Sequence, residues 1–191
     1  MNNYFKHTIL LLILCFSCSK NEEIGNDGYI PTPATLTIPE VFQGRILPHV
    51  NPSNNPLTEE GIALGKRLFF DKKLSADNTQ ACTSCHAPQN AFTDSQQFSI
   101  GIDGIEGTRN SMPLFNLAWN YDDKFFWDGR ELSLERQVFD PITNPIEMHN
   151  TLENVVEKLQ EDAAYPPLFE RAFGTSTIDS VLISKAIAQF E

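Results

Sequence analysis

The chain has 191 residues, 41% hydrophobic and 20% charged, with a net charge of −11. That is enough apolar material for one buried core, and it excludes a disordered or fibrous chain. The acidic balance excludes a nucleic-acid binder working through a basic face; it suits a basic partner as well as plain solubility.

Met1 to Ser17 place Lys6 and His7 ahead of the apolar run from Ile9 to Leu14, which is too short to span a bilayer and reads as a secretory signal. The ending Cys15-Phe16-Ser17-Cys18 resembles a bacterial lipobox, in which Cys18 is acylated and becomes the first mature residue. An ordinary signal peptide with a leftover thiol is the alternative. On the lipobox reading the mature chain is periplasmic and held to the membrane by lipid. Residues 18–45 are polar and then Pro/Thr-rich, with Pro31-Thr32-Pro33 and Pro39, and read as a flexible tether. Residues 46–191 are expected as one domain.

Leu57 to Asp71 reads as an amphipathic helix, with Thr58 as N-cap, Glu59 and Glu60 in the first turn, and Ile62, Leu64, Leu68 and Phe69 facing inward. A polar loop over 72–81 then delivers Cys82-Thr83-Ser84-Cys85-His86. Two thiols on one turn followed by an imidazole form the attachment signature of a c-type haem. The thiols add across the porphyrin vinyl groups, and His86 becomes the axial ligand of the iron. A thioredoxin-like dithiol would want a βαβ context and a zinc site a second Cys/His pair; neither is present. Because c-type attachment in bacteria happens outside the cytoplasm, the export signal and this motif support each other.

Ala87 to Tyr121 shows no sustained period and reads as a long ordered loop wrapping a haem edge. Leu132 to Phe139 is a short helix with Ser133 as cap, ended before Pro141. Asn150-Thr151-Leu152-Glu153 reads as a capping box opening a helix through Glu161, with Val155, Val156 and Leu159 apolar. A further turn over Leu168–Phe173 stops at Gly174, and Thr177 opens a last helix, Val181 to Phe190. The fold class is therefore all-α: a cytochrome c-like haem domain of short helices and long ordered loops. Periodicity persists to Glu191 without a C-cap, so the chain is expected to be a fragment that stops before a second haem domain.

The motif is flanked by Leu74-Ser75-Ala76-Asp77-Asn78-Thr79-Gln80-Ala81, Ala87-Pro88 and Ala91-Phe92-Thr93-Asp94. Further on come Gly107-Thr108-Arg109-Asn110, Phe126-Trp127-Asp128-Gly129-Arg130, Leu134-Glu135-Arg136-Gln137 and Pro145-Ile146-Glu147-Met148. From about Leu57 onward this order resembles the N-terminal haem domain of the bacterial dihaem cytochrome c peroxidase family, which includes the enzymes that mature methylamine dehydrogenase. The resemblance implies reduction of hydrogen peroxide to water with electrons from a small cytochrome or copper protein.

The resemblance also implies residue roles. Glu147, by itself a solvated loop charge, falls on the family's acid–base glutamate, which moves a proton from one peroxide oxygen to the other. Gln137, by itself a polar position on a short helix, falls on the distal-pocket glutamine. Trp127, by default a core side chain, falls on the tryptophan between the two haems. Arg109 and Arg130 fall where haem propionates are paired, against surface arginines in tight turns. Asn110 falls on a calcium-binding position whose other ligands would lie mostly outside this sequence, so calcium here should be weak. A homodimer stays open, and no nucleic acid is expected.

One departure stands out. Many members carry a histidine that blocks the peroxide haem until the other haem is reduced; distance from His86 puts Ile102 there, and no histidine occurs between His86 and His149. The resemblance then implies a haem open without reductive activation. The Arg-Asn pair is followed by Ser111-Met112-Pro113 rather than the commoner Ala-Pro. Two other readings remain: a mono-haem carrier with Met148 or Met112 as second ligand, and a dihaem enzyme that oxidises a partner protein through Trp127. Outside a family context both methionines read as apolar packing, and His49 and His149 as surface or satisfied side chains.

Overall fold

The computed structural model describes residues 29–50 and 52–191. The signal segment and Cys18 lie outside the described residues. Among those described are seven α-helices: α1 (Glu59–Phe69), α2 (Cys82–Cys85), α3 (Leu134–Gln137), α4 (Phe139–Thr143), α5 (Leu152–Glu161), α6 (Pro166–Phe173) and α7 (Ser180–Phe190). Strand pairing among them is limited to four isolated bridges, so the domain is helix-rich.

The caps explain where the helices begin. Thr58 Oγ1 accepts from the Gly61 N–H at 3.0 Å, and Glu59 and Glu60 occupy the positively polarised first turn of α1. The inward stripe Leu64, Leu68 and Phe69 is buried, mainly against α7. Gly65 permits that approach, because a Cβ would stand 1.8 Å from the Ala186 carbonyl oxygen. Leu159, Phe169, Ile183 and Ile187 complete the core from α5, α6 and α7. Each such side chain contributes about 1.5–3 kcal/mol by leaving water. The polar residues beside it are paired: Gln189 Oε1 accepts from the Thr58 N–H at 3.0 Å, and its amide nitrogen donates to Asn55 Oδ1 at 2.8 Å.

Three sequence expectations shift. The helix after Ser133 does not finish before Pro141: α3 is followed directly by α4, which carries Pro141 in its first turn. A first-turn proline has no intrahelical N–H bond to lose, so it is tolerated there. The cap of α5 is Thr151, whose Oγ1 accepts from the Asn154 N–H at 3.1 Å. The Asn150 amide is used elsewhere, donating to the Leu74 carbonyl at 2.9 Å and tying α5 to the loop before the haem motif. The cap of α7 is Asp179 rather than Thr177.

Part of the stretch read as a tether is docked on the domain. The Ala34 N–H donates to the Leu57 carbonyl at 3.0 Å, and the Glu59 N–H to the Thr32 carbonyl at 2.9 Å. Thr32 Oγ1 adds a bond to Glu60 Oε1 at 2.8 Å, and the Tyr29 hydroxyl bonds the Ala172 carbonyl. Proline-rich chain is extended, and an extended chain can pair along one edge with the start of a helix.

Candidate functional site

The haem motif sits where α1 ends. Phe69 packs its ring 6.5 Å from the His86 ring and 6.2 Å from Phe92. Cys82 to Cys85 form the single turn α2, opened by Ser84 Oγ accepting from the Ala81 N–H at 3.1 Å and followed by the His86 N–H bonding the Cys82 carbonyl at 2.9 Å. Both cysteines are free, and burial raises both thiols, Cys85 to about 11. The loop after the motif turns back through Ala91 and Phe92, both in the left-handed region at φ 56°. That turn brings the Phe92 carbonyl 2.9 Å from His86 Nδ1. Burial lowers the imidazole below its ordinary value, against that hydrogen bond, so it is neutral at pH 7. A neutral ring donating from Nδ1 leaves Nε2 as a metal ligand.

His86 and Cys85 line a cavity of about 330 Å³ with Arg109, Trp127, Arg130, Gln137, Asn144 and Glu147. A narrower cleft of about 60 Å³ continues past Cys82, Met148 and Glu191. The donor set fits a c-type haem: two protonated thiols on one turn, a neutral imidazole held through Nδ1 by the Phe92 carbonyl, and a cavity of ligand-binding size beside them.

The other wall comes from α3, α4 and the turn after them. Gln137 is 8% exposed and lines the cavity, and its side-chain amide makes no hydrogen bond to the described residues, so it is available to a small polar ligand. Glu147 lines the cavity and is exposed as a residue, with one protein hydrogen bond to its carboxyl. Desolvation raises that carboxyl above the usual range, against a hydrogen bond from Asn144 Nδ2 at 2.7 Å. The backbone behind Glu147 is clamped. The Ile102 N–H donates to its carbonyl at 2.7 Å, and Gly101 lies so close that a Cβ would stand 2.0 Å from the Ile146 carbonyl oxygen. Ile102 is therefore buried in a turn packed on the Glu147 segment. Met148 is buried with the apolar core, while His149 is exposed.

The rim carries the remaining expected residues. Arg109 donates to Asp128 Oδ2 at 3.0 Å, and Arg130 bridges Asp128 Oδ1 at 3.1 Å and Asp140 Oδ2 at 3.0 Å. Both arginines thus have carboxylate partners already, in exposed pairs that solvent screens. The Arg130 guanidinium also lies 3.6 Å from the centroid of Phe126. Trp127 is 58% exposed rather than core, and its Nε1–H bonds the Asn110 carbonyl at 3.2 Å.

Three residues went unnoticed in the sequence. Gly101 and Asn144 lie in segments without periodicity, and only their close approach to Glu147 reveals them. Glu191 reads as the polar end of a helix, but its carboxyl is buried beside the cleft, with Oε2 unpaired among the described residues. Burial pushes it up to about 8.

Residues 59–191 match the family model for di-haem cytochrome c peroxidase, so the helical frame and its Cys-x-x-Cys-His turn are those of a c-type haem protein. The chain belongs to the di-haem cytochrome c peroxidase family. The methylamine utilization protein MauG of Methylorubrum extorquens is 41% identical over 146 residues, 76% of this chain and 40% of that protein. The cytochrome c peroxidase Ccp of Escherichia coli is 35% identical over 141 residues, 73% of this chain and 30% of that one. A solved MauG-like protein associated with microbial copper homeostasis superposes with a TM-score of 0.73 at 33% identity, over 82% of this chain and 45% of that one. The chain thus spans less than half the length of these relatives.

Proposed function

We propose that this domain holds the peroxide-reducing haem of a cytochrome c peroxidase, in a cytochrome c-like fold. The observation that supports the reading is the cavity itself, which the Glu147 carboxyl and the unengaged Gln137 amide line together with Cys85 and His86. Haem c on Cys82 and Cys85, with His86 as ligand, would supply the iron that takes up peroxide and passes it electrons. The chain's own residues handle the protons. Gln137 offers both a donor and an acceptor to hold hydrogen peroxide. Glu147 takes the proton from one peroxide oxygen and returns it to the other, so that the leaving oxygen departs as water. Desolvation suits Glu147 to this exchange, because a carboxyl raised toward neutrality can both accept and return a proton. Reduction to two waters consumes two electrons and two protons, the electrons coming from a small redox protein.

Arg109 and Arg130 stay at the rim for haem propionates, which would exchange with Asp128 and Asp140 at small cost. A calcium ion at Asn110 would be weak, since its other ligands would come mostly from the part of the relatives' length that this chain does not span. Periplasmic placement on a lipid at Cys18 accompanies the reading, and no described helix is long and apolar enough to cross a membrane. A homodimer is compatible with it. The exposure of Trp127 favours one second reading, in which that indole passes electrons from a partner protein that the domain oxidises.

Ile102 stands where a blocking histidine would be, and its backbone is committed to Glu147. The ferric holoprotein should therefore show a high-spin spectrum and change promptly on mixing with peroxide, with no prior reduction. A low-spin, bis-histidine ferric spectrum inert to peroxide would overturn the proposal.

A further inference from the structure

We infer that Asn144 is the positioning residue of Glu147: it holds carboxyl oxygen Oε1, so the proton exchanged with substrate is carried on Oε2. This rests on the peroxidase reading of Glu147, and the bond itself rests on geometry. Asn144 Nδ2 donates to Glu147 Oε1 at 2.7 Å, while Asn144 Oδ1 accepts from the Ile146 N–H at 3.1 Å. A backbone N–H can only donate, so the amide oxygen must face Ile146 and the NH₂ must face Glu147. The side chain has one usable orientation. Its backbone is fixed as well: the Asn144 N–H bonds the Asp140 carbonyl at 2.8 Å, and its carbonyl accepts from the N–H groups of Glu147 at 3.0 Å and His149 at 2.9 Å.

No other hydrogen bond from the described residues reaches the Glu147 carboxyl. The NH₂ group donates and cannot accept, so a hydrogen on Oε1 would collide with it. When Glu147 is protonated, the hydrogen therefore sits on Oε2. Asn144 also stabilises the charged form and limits how far desolvation raises the group. Of the charged groups around this carboxyl, Arg130 favours its ionisation and Asp140 of α4 opposes it, while Arg109 and Asp128, paired with each other, line the same cavity. Cys85 of α2 and His86 share the cavity and are neutral at pH 7.

The test follows the carboxylic C=O stretch of Glu147 by infrared difference spectroscopy across pH in the holoprotein, assigning the band by its loss in Glu147→Gln. Asn144→Leu removes the donor at similar size and should raise the titration midpoint by about one pH unit. Asn144→Asp keeps an acceptor for the Ile146 N–H but sets a like charge against Glu147, and should raise the midpoint further. The pH limb of the peroxide reaction should move with the band. An unchanged midpoint in Asn144→Asp overturns the inference, whatever Asn144→Leu does to the turn. If the midpoints move but Glu147→Gln reacts with peroxide as the parent does, the peroxidase reading falls and the Asn144 assignment stands.

Discussion

In the helical half, α1 and α5 to α7 bury Leu68, Leu159, Phe169 and Ile187 completely, whereas in the loop half, residues 87–131, Ile100, Ile105, Phe115, Tyr121 and Trp127 are exposed. The backbone differs in the same way. All the non-glycine residues with positive φ among those described fall between Asn78 and His149, outside α5 to α7, and six of them, including Ala91, Phe92 and Phe126, are in the loop half. Left-handed backbone costs about 1–2 kcal/mol per residue, so these turns persist because polar bonds hold them. The Thr93 hydroxyl donates to the Ser111 carbonyl at 2.8 Å, and the Asp94 N–H to Ser111 Oγ at 2.8 Å. One half thus derives stability from apolar area, and the other spends it to carry carbonyls and side chains to the cavity wall.

The largest effect that sharpens this contrast is at the motif between the halves. In a polypeptide of these 191 residues, which holds one Cys-x-x-Cys-His, replacing both Cys82 and Cys85 by Ala should abolish covalent haem, read as loss of haem staining on a denaturing gel. Retained staining would remove the motif from the account. Next comes packing. Phe169→Ala should lower unfolding free energy by about 3–5 kcal/mol in urea titrations, because it opens a cavity in the core. Phe115→Ala, at a side chain 54% exposed, should stay within about 0.5 kcal/mol. Equal losses would break the comparison.

A smaller effect concerns Glu191. Burial raises its carboxyl to about 8, so the folded state binds this proton more tightly than the unfolded state does. Its contribution to stability is intact below the ordinary carboxylate range and lost as pH rises from there through about 8. Glu191→Gln should flatten that part of the stability–pH curve, as read by melting temperature.

The two halves were also unequally legible in the sequence. Thr58, the Leu64/Leu68/Phe69 stripe and Gly174 announce themselves because capping and helical periodicity are local. The shift from Asn150 to Thr151 depends on a distant partner, the Leu74 carbonyl, which no local pattern reports. The motif at Cys82 to His86 is read from spacing alone. Glu147 and Gln137 are single polar residues without a period, and only a family resemblance singles them out. Asn144 escapes notice because its role depends on the fold of one turn. Arg109 and Arg130 suggest anion partners, and the turn supplies Asp128 and Asp140 in those places. Pro31 and Pro33 suggest a flexible tether, and composition does not say that the chain around them bonds to the start of α1.

The central claim is that Glu147 performs the proton transfer of peroxide cleavage in this cavity. Rapid mixing of Glu147→Gln holoprotein with hydrogen peroxide tests it most directly, with covalent haem content measured alongside. The account predicts normal haem attachment and a peroxide reaction slower by about 10²–10⁴-fold, the usual contribution of a positioned acid–base group. A variant that reacts at the parent rate with full haem would contradict it.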